Sequence, residues 1–281
     1  MNLLEDKICI HKYLTKCNTN PQPPGFADYL RGTIALYNLS QKYNYKLLMD
    51  NDHPLFRYIK QTENVVSNTN LSTGVIELLP PLSYEHIYNL LNEIFSRNKS
   101  FIIMTNSFYS ITNGNLSNWG EISDECRSYL INILCPTEEL NNRIEHITRD
   151  VYELKQGDIF KVIHLRFGDK FINAGAYDNS LYDIYYTKIS NIINNNPTVK
   201  YVLISDLSTI ATRLKQQINK LYYWNNEKIH IGDLINNSNS ALLDTMTDFF
   251  IISKSSEILS NAQSGFSIVA SLIYNITYSS L

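Results

Sequence analysis

The feature that most limits what this chain can fold into is an alternation of two periods. Short apolar runs read as strands, and the stretches between them return their apolar residues at helical spacing. In the first part, Phe26 to Tyr43 is helical (Leu30, Ile34, Leu36, Tyr37, Leu39), and "YKLLM", Tyr45 to Met49, follows as a strand. Ser83 caps a second helix in "SYEHIYNLLNEIF", and "FIIMT", Phe101 to Thr105, is again a strand. A long helix is expected over "CPTEELNNRIEHITRDVYEL", with Pro136 and two glutamates near its start, where the helix dipole favours acid.

After Gly157 the pattern restarts. "IFKVIHL" and "KYVLIS" (Lys200 to Ser205) are strands, and Ser208 to Leu221 is helical. "KIHIG" is a short strand, Leu242 to Ile251 a helix, "EIL" a brief strand and Phe266 to Tyr274 a closing helix; the Asn-rich "NIINNNP" reads as a turn. Strands alternating with helices imply parallel sheets of the α/β class. Two such series, joined near residues 150–157, predict two Rossmann-like halves facing one cleft, residues 1–150 and 151–281.

Composition agrees and narrows the partners. A chain of 281 residues, 44% hydrophobic and 18% charged, has the make-up of a soluble globular protein with a sizeable core. A net charge of −3 gives neither a nucleic-acid footprint nor a polybasic membrane stripe. The opening "MNLLEDKICIHKYLTK" lacks a basic region, an apolar core and a cleavage site, and no apolar window is long enough to span a bilayer. A cytoplasmic location is the expectation from this, with the secretory pathway left open. Cys9, Cys17, Cys126 and Cys135 are far apart and form no CxxC, so no metal site and no disulfide framework is expected. The chain is heavy in Asn, Ile, Lys and Tyr, which takes weight from any isolated Asn or Tyr.

One strand ends against its own pattern. "KVIHLRFGDK", Lys161 to Lys170, runs from apolar residues into His164, Arg166 and Asp169. In open α/β sheets ligands sit outside the carboxyl ends of strands, and a guanidinium there suits a phosphate because its forked donors match two oxygens. An Arg166–Asp169 salt bridge closing a surface turn is the alternative. A second cluster, "SNAQSGFSIVASLIY", places Ser264, Gly265 and Ser267 at a helix entry, where free amides and hydroxyls make an anion site; an ordinary serine cap is the alternative there. Together the two elements imply a diphosphate held between Arg166 and the helix start.

These residues resemble a known set. "HLRFGD" is similar to the HxRxxD signature of the GT-B fucosyltransferases, which include protein O-fucosyltransferases and glycan fucosyltransferases. The Ser264–Ser267 segment resembles that superfamily's closing motif, and "YVLISD", ending at Asp206, resembles its intermediate strand. "PPGFADYLRGTIALYNLSQKYNYKLLMD" resembles its opening Gly-containing loop and first helix, so the likeness runs in order across roughly the whole chain, though residues 51–130 contribute nothing. The resemblance implies transfer of fucose from GDP-fucose to a glycan or protein hydroxyl, with inversion and with no metal or other cofactor. It implies that Arg166 binds the β-phosphate and neutralises charge as the sugar–phosphate bond breaks, with His164 supporting the diphosphate. Ser264 and Ser267 would donate to phosphate oxygens, Gly265 would admit the ligand to the main chain, and Phe266 would pack near the nucleotide. Asp248 matches an aspartate that contacts guanine; a carboxylate accepts from both N1–H and the exocyclic amine, a pairing adenine cannot offer.

Three departures qualify the match. "PPGFADYL" lacks the Asn, or Glu in one branch, that the family uses near the acceptor; Asp28 is its only acidic side chain and becomes the candidate general base, or else a helix-start carboxylate. Gly265 stands where relatives often carry a second hydroxyl. Arg166–Phe167 stands where many relatives have two arginines, which points to the single-arginine, O-fucosyltransferase-like pattern. Asp169 is expected to orient Arg166, or else to touch sugar or acceptor. His11, His53, His86, His146 and His230 fit no ligand spacing and receive no role. The competing expectations are a catalytically inactive protein that binds GDP or a nucleotide sugar, and a transferase of another GDP-sugar.

Overall fold

The computed structural model describes residues 7–13, 25–67, 75–78, 83–105, 110–112, 115–117, 122–168, 179–226 and 238–281. These fall into two compact units, one ending at Pro136 and the other beginning at Thr137. Both are of the α/β class.

In the first unit the order is β1 (Ile8–Lys12), α1 (Phe26–Tyr43), β2 (Lys46–Asp50), a 3-10 turn (Pro54–Tyr58), β3 (Val65–Val66), β4 (Val75–Leu78), α2 (Tyr84–Ser96) and β5 (Phe101–Thr105). A short hairpin of β6 (Ser110–Thr112) and β7 (Asn115–Ser117) and then α3 (Asp124–Ile133) complete it. The five longer-range strands form one parallel sheet, β3-β2-β1-β5-β4. Its central strand, β1, carried no strand expectation. Five residues ending in His11 and Lys12 are too short and too polar to read as a buried strand, yet Cys9 and His11 are fully buried and Ile10 nearly so. Helix α1 runs over this strand at close range. A Cβ at Gly32 would stand 3.1 Å from His11 Cε1 and 3.2 Å from the Thr105 carbonyl oxygen, so only glycine fits without displacement. Asn44, at φ 57°, ends the helix in the left-handed conformation.

The second unit runs α4 (Glu138–His146), a π-helical turn (Ile147–Val151), β8 (Phe160–Leu165), α5 (Asn179–Asn195), β9 (Lys200–Ser205), α6 (Ser208–Gln217) and β10 (Leu221–Tyr223). It closes with α7 (Asn239–Ser253), β11 (Glu257–Ser260), α8 (Gly265–Tyr274) and β12 (Thr277–Ser280). All five strands are parallel, in the order β10-β9-β8-β11-β12. Numbered within the unit this is 3-2-1-4-5, with β8 central. Ile163, Leu165, Tyr201, Leu203, Ile210 and Leu214 meet in the core between sheet and helices. Helix α4 belongs to this unit, because Arg143 pairs with Asp244 of α7 at 3.0 Å.

Several boundaries differ from the sequence reading. The helix expected from Cys135 starts at Glu138, capped by Thr137, while Pro136 lies ahead of it in a β-bridge with Ile59. The helix expected to reach Leu221 stops at Gln217. Ile210, Leu214, Ile218 and Leu221 keep helical spacing and are all buried, but Lys220 at φ 69° turns the chain so that Leu221 opens a strand instead. The Asn-rich segment read as a turn is the end of α5, where Ile189 and Ile193 face the core. The expected strand "KIHIG" lies outside the described residues.

Candidate functional site

In a 3-2-1-4-5 sheet the chain leaves strand 1 to one side and strand 4 to the other, which opens a crevice at their carboxyl ends. Here these strands are β8 and β11, paired through His164 and Ser260. Both sequence-predicted anion elements emerge at this edge: the His164–Arg166 stretch from β8, and the loop from Asn261 into α8 from β11.

His164 is buried, at 5% exposure, and its Nδ1 lies 2.9 Å from the Ser267 hydroxyl. Ser267 is fully buried and its hydroxyl also lies 3.3 Å from the Ser264 carbonyl. The hydroxyl has one proton, so the tautomer decides its use. When Ser267 donates to Nδ1, the ring proton sits on Nε2, the donor a phosphate oxygen requires. Ser264 caps α8 without turning its own side chain onto the helix amides. The first-turn amides of such a helix end have no intrahelical partner and carry the positive end of the dipole. The Phe266 ring packs 6.4 Å from His164 and 5.4 Å from Phe249, centre to centre.

Arg166 is held from both sides. Its Nη1 donates to Asp206 Oδ2 at 2.6 Å, and Asp206, at the end of β9, also accepts the amides of Phe167 and Gly168 at 2.9 Å each. Gly168, at φ 86°, makes the turn that lets consecutive amides face one carboxylate. On the other side the Arg166 amide donates to Asn261 Oδ1 at 2.7 Å, and Asn261 Nδ2 donates to the Tyr185 hydroxyl at 3.0 Å. The guanidinium side chain remains 31% exposed, against 9% for Asp206. Asp206 is thus a carboxylate that orients Arg166; Asp169, expected in that role, lies outside the described residues. Sequence reasoning missed Asn261 and Tyr185. Their only signal was position, between a strand end and a helix cap, in a chain where single Asn and Tyr residues are common.

Asp248 stands on α7, 5% exposed, and its Oδ2 accepts from Asn226 Nδ2 at 3.4 Å. Burial pushes up the phenols of Tyr152 and Tyr223, and the nearby Asp248 charge pushes them further.

In the first unit, Asp28 lies in the first turn of α1 with its side chain 37% exposed. Arg31 Nη1 reaches its Oδ1 at 3.3 Å. Burial lowers the Arg31 guanidinium to about 10 despite the raising effects of Asp28 and Tyr84. Among the described residues the carboxyl end of β1 is closely packed. His11 Nδ1 lies 2.9 Å from Thr33 Oγ1 and its Nε2 2.8 Å from the Thr105 carbonyl; burial lowers the ring to about 4 against the raising effect of that carbonyl. The Tyr29 hydroxyl bridges the carbonyls of His11 and Asp50, 2.9 Å from each. His53 stacks among Tyr13, Phe26 and Tyr29, and burial takes it to about 3.

Among the described residues no group of three or more His, Cys, Asp or Glu is arranged to hold a metal ion, and no helix is long and apolar enough to cross a membrane.

No family model matches the chain, and no curated protein sequence matches it significantly. Solved structures do. The NodZ α-1,6-fucosyltransferase of Bradyrhizobium, in a crystal soaked with GDP-fucose, superposes with a TM-score of 0.61 at 13% identity, over 96% of this chain and 93% of that one. A mutant of Arabidopsis thaliana FUT1 in complex with GDP gives 0.63 at 9% identity, over 99% and 70%. POFUT1 in complex with GDP-fucose gives 0.56 at 8%, over 98% of each chain. The likeness is one of fold: the chain has the GT-B architecture of these fucosyltransferases.

Proposed function

We propose that the protein is a glycosyltransferase that moves fucose from GDP-fucose to a hydroxyl of a glycan or protein acceptor, with inversion and without a metal. The second unit binds the donor and the first serves the acceptor. The observation that carries this reading is the meeting of two anion-suited elements on one sheet edge, through His164–Ser267 at 2.9 Å and Arg166–Asn261 at 2.7 Å. The GDP and GDP-fucose held by the fucosyltransferases of the same fold support the choice of donor.

In this reading the acceptor oxygen attacks the anomeric carbon, the bond to the β-phosphate oxygen breaks, and its electron pair leaves with GDP. Arg166 meets the growing charge on that oxygen. The α8 amides and Ser264 donate to the remaining phosphate oxygens, and Ser267 acts through His164: by giving its one proton to Nδ1 it leaves Nε2–H to donate as well. Preset donors of this kind act where charge develops, so stabilising the leaving group is the main catalytic contribution. Asp248 reads guanine. Asp28 takes the acceptor proton.

A second reading, a GDP-sugar-binding protein without turnover, draws on one specific contact. Arg31 already engages Asp28 Oδ1 at 3.3 Å, and a cation beside a carboxylate makes it a weaker proton acceptor. The test is a screen of nucleotide sugars for released GDP, run beside thermal shift with GDP, UDP and ADP. Transfer from GDP-fucose that disappears in a folded Arg166→Ala chain supports the enzyme. GDP-selective stabilisation with no release from any GDP-sugar supports the binder, and absence of GDP-selective stabilisation removes both.

A further inference from the structure

Where β10 ends, Trp224, Asn225 and Asn226 carry the chain out of the second sheet. Asn226 is half-buried, and its amide nitrogen donates to Asp248 Oδ2. That contact fixes which way the amide faces, because the reversed amide would set its carbonyl oxygen against a carboxylate. The consequence is an anomaly: Asn226 Oδ1 is buried and has no hydrogen-bond partner among the described residues. An acceptor withdrawn from water and left unsatisfied is costly, and such a group calls for an explanation. The Tyr223 hydroxyl, on the same strand end, is committed elsewhere, since it donates to Asn225 Oδ1 at 3.3 Å.

Two acceptors side by side, a carboxylate and an amide carbonyl, call for a ligand edge made of donors. Guanine presents one: N1–H beside an exocyclic amine with two N–H groups. Asp248 can take N1–H and one amine hydrogen, which leaves the other for a neighbouring carbonyl. Hypoxanthine keeps N1–H and lacks the amine; adenine has no N1–H. We infer that Asn226 Oδ1 accepts the second N–H of the 2-amino group, making Asn226 a specificity residue that separates guanine from hypoxanthine nucleotides. This rests on the reading of Asp248 as the guanine contact.

The experiment measures dissociation constants for GDP, IDP and N2-methyl-GDP with the whole chain and with Asn226→Ala and Asn226→Leu. The unaltered chain is expected to bind GDP on the order of a hundredfold tighter than IDP, because two buried acceptors lose their donors at once. In either variant GDP should weaken roughly tenfold while IDP changes little, so the ratio contracts by about that factor. Equal weakening of both nucleotides overturns the inference, since Asn226 would then act only by supporting Asp248. If the variants fail to fold, N2-methyl-GDP decides: about tenfold weaker binding than GDP supports the inference, and equal binding overturns it, because one N–H would be idle. Absence of any preference for GDP over IDP and ADP in the unaltered chain sinks the underlying guanine reading instead.

Discussion

The two units place a histidine near the carboxyl end of the central strand and use it in opposite ways. His11 lies near the carboxyl end of β1, the central strand of the first sheet, and His164 near that of β8, the central strand of the second. Both sit beside the crevice that a doubly wound sheet offers to ligands. In the first unit the described residues fill that crevice around His11: Gly32 lets α1 press onto β1 and β5, Thr33 and the Thr105 carbonyl take both ring nitrogens, and Tyr29 ties β1 to β2. In the second, α8 begins one loop beyond β11 with its serine cap turned away from the helix amides, and Arg166 is held with nearly a third of its side chain exposed. A first strand at the centre of a parallel sheet offers a site in either unit. Local packing decides where one survives.

Acid should separate the two most forcefully. His11 and His53 titrate near 4 and near 3 when folded, against 6.5 ordinarily, because burial disfavours the charged ring. Below pH 6.5 the unfolded chain binds protons that the folded chain refuses, so stability falls as pH falls through that window. By pH 5 each ring should remove about 2 kcal/mol. Asp50, whose carboxyl burial raises, works against this as it takes up a proton. Urea unfolding at pH 7 and pH 5, with hydrogen exchange resolved by peptide, should show the loss beginning in the first unit. His53→Phe, which keeps an aromatic ring there, should remove its share of the slope; an unchanged slope would refute the closed-edge account.

Arg166→Ala strikes the other edge. Loss of a donor aimed at developing charge costs on the order of a hundredfold in rate, about 3 kcal/mol. Because the side chain is partly exposed and the Phe167 and Gly168 amides still hold Asp206, the melting temperature should stay within a degree or two, by the usual smallness of surface effects. A large loss of stability with full turnover would reverse the assignment of roles between the two units.

How much of this was legible depended on the length and polarity of each segment. β5, β8 and β9 could be read because apolar runs of five or six residues bounded by polar ones have few alternatives. β1, β10 and β12 could not, because short runs such as "ICIHK" and "TYSS" carry no period long enough to resolve. In the candidate site, Arg166, His164 and Ser267 stood out as polar groups interrupting apolar patterns. Asn261 and Asn226 did not, since their importance lies in contacts 95 and 22 residues away in sequence, and nothing local marks them among so many asparagines.

Gly32→Ala tests the closed edge by crowding it. Alanine favours a helix interior by about 1 kcal/mol, yet its methyl group would meet a ring fixed by two hydrogen bonds and a carbonyl of β5, neither of which yields easily. The net expectation is destabilisation of about 1–2 kcal/mol, seen as a lower melting temperature with unchanged GDP affinity. A gain in stability would mean that α1 can lift from the sheet and that the edge is not shut.

The smallest effect is the sharpest comparison, because it removes the corresponding hydroxyl from each histidine. Ser267→Ala and Thr33→Val each strip one partner from a buried Nδ1, at a cost of about 1 kcal/mol. In the first unit that cost should appear as stability alone. In the second, the Ser267 hydroxyl also selects the tautomer that leaves a proton on Nε2, so part of the cost should appear as GDP binding weakened several-fold. If Ser267→Ala lowers the melting temperature and leaves GDP affinity intact, His164 is a packed core histidine like His11, and the two edges differ less than their geometry suggests.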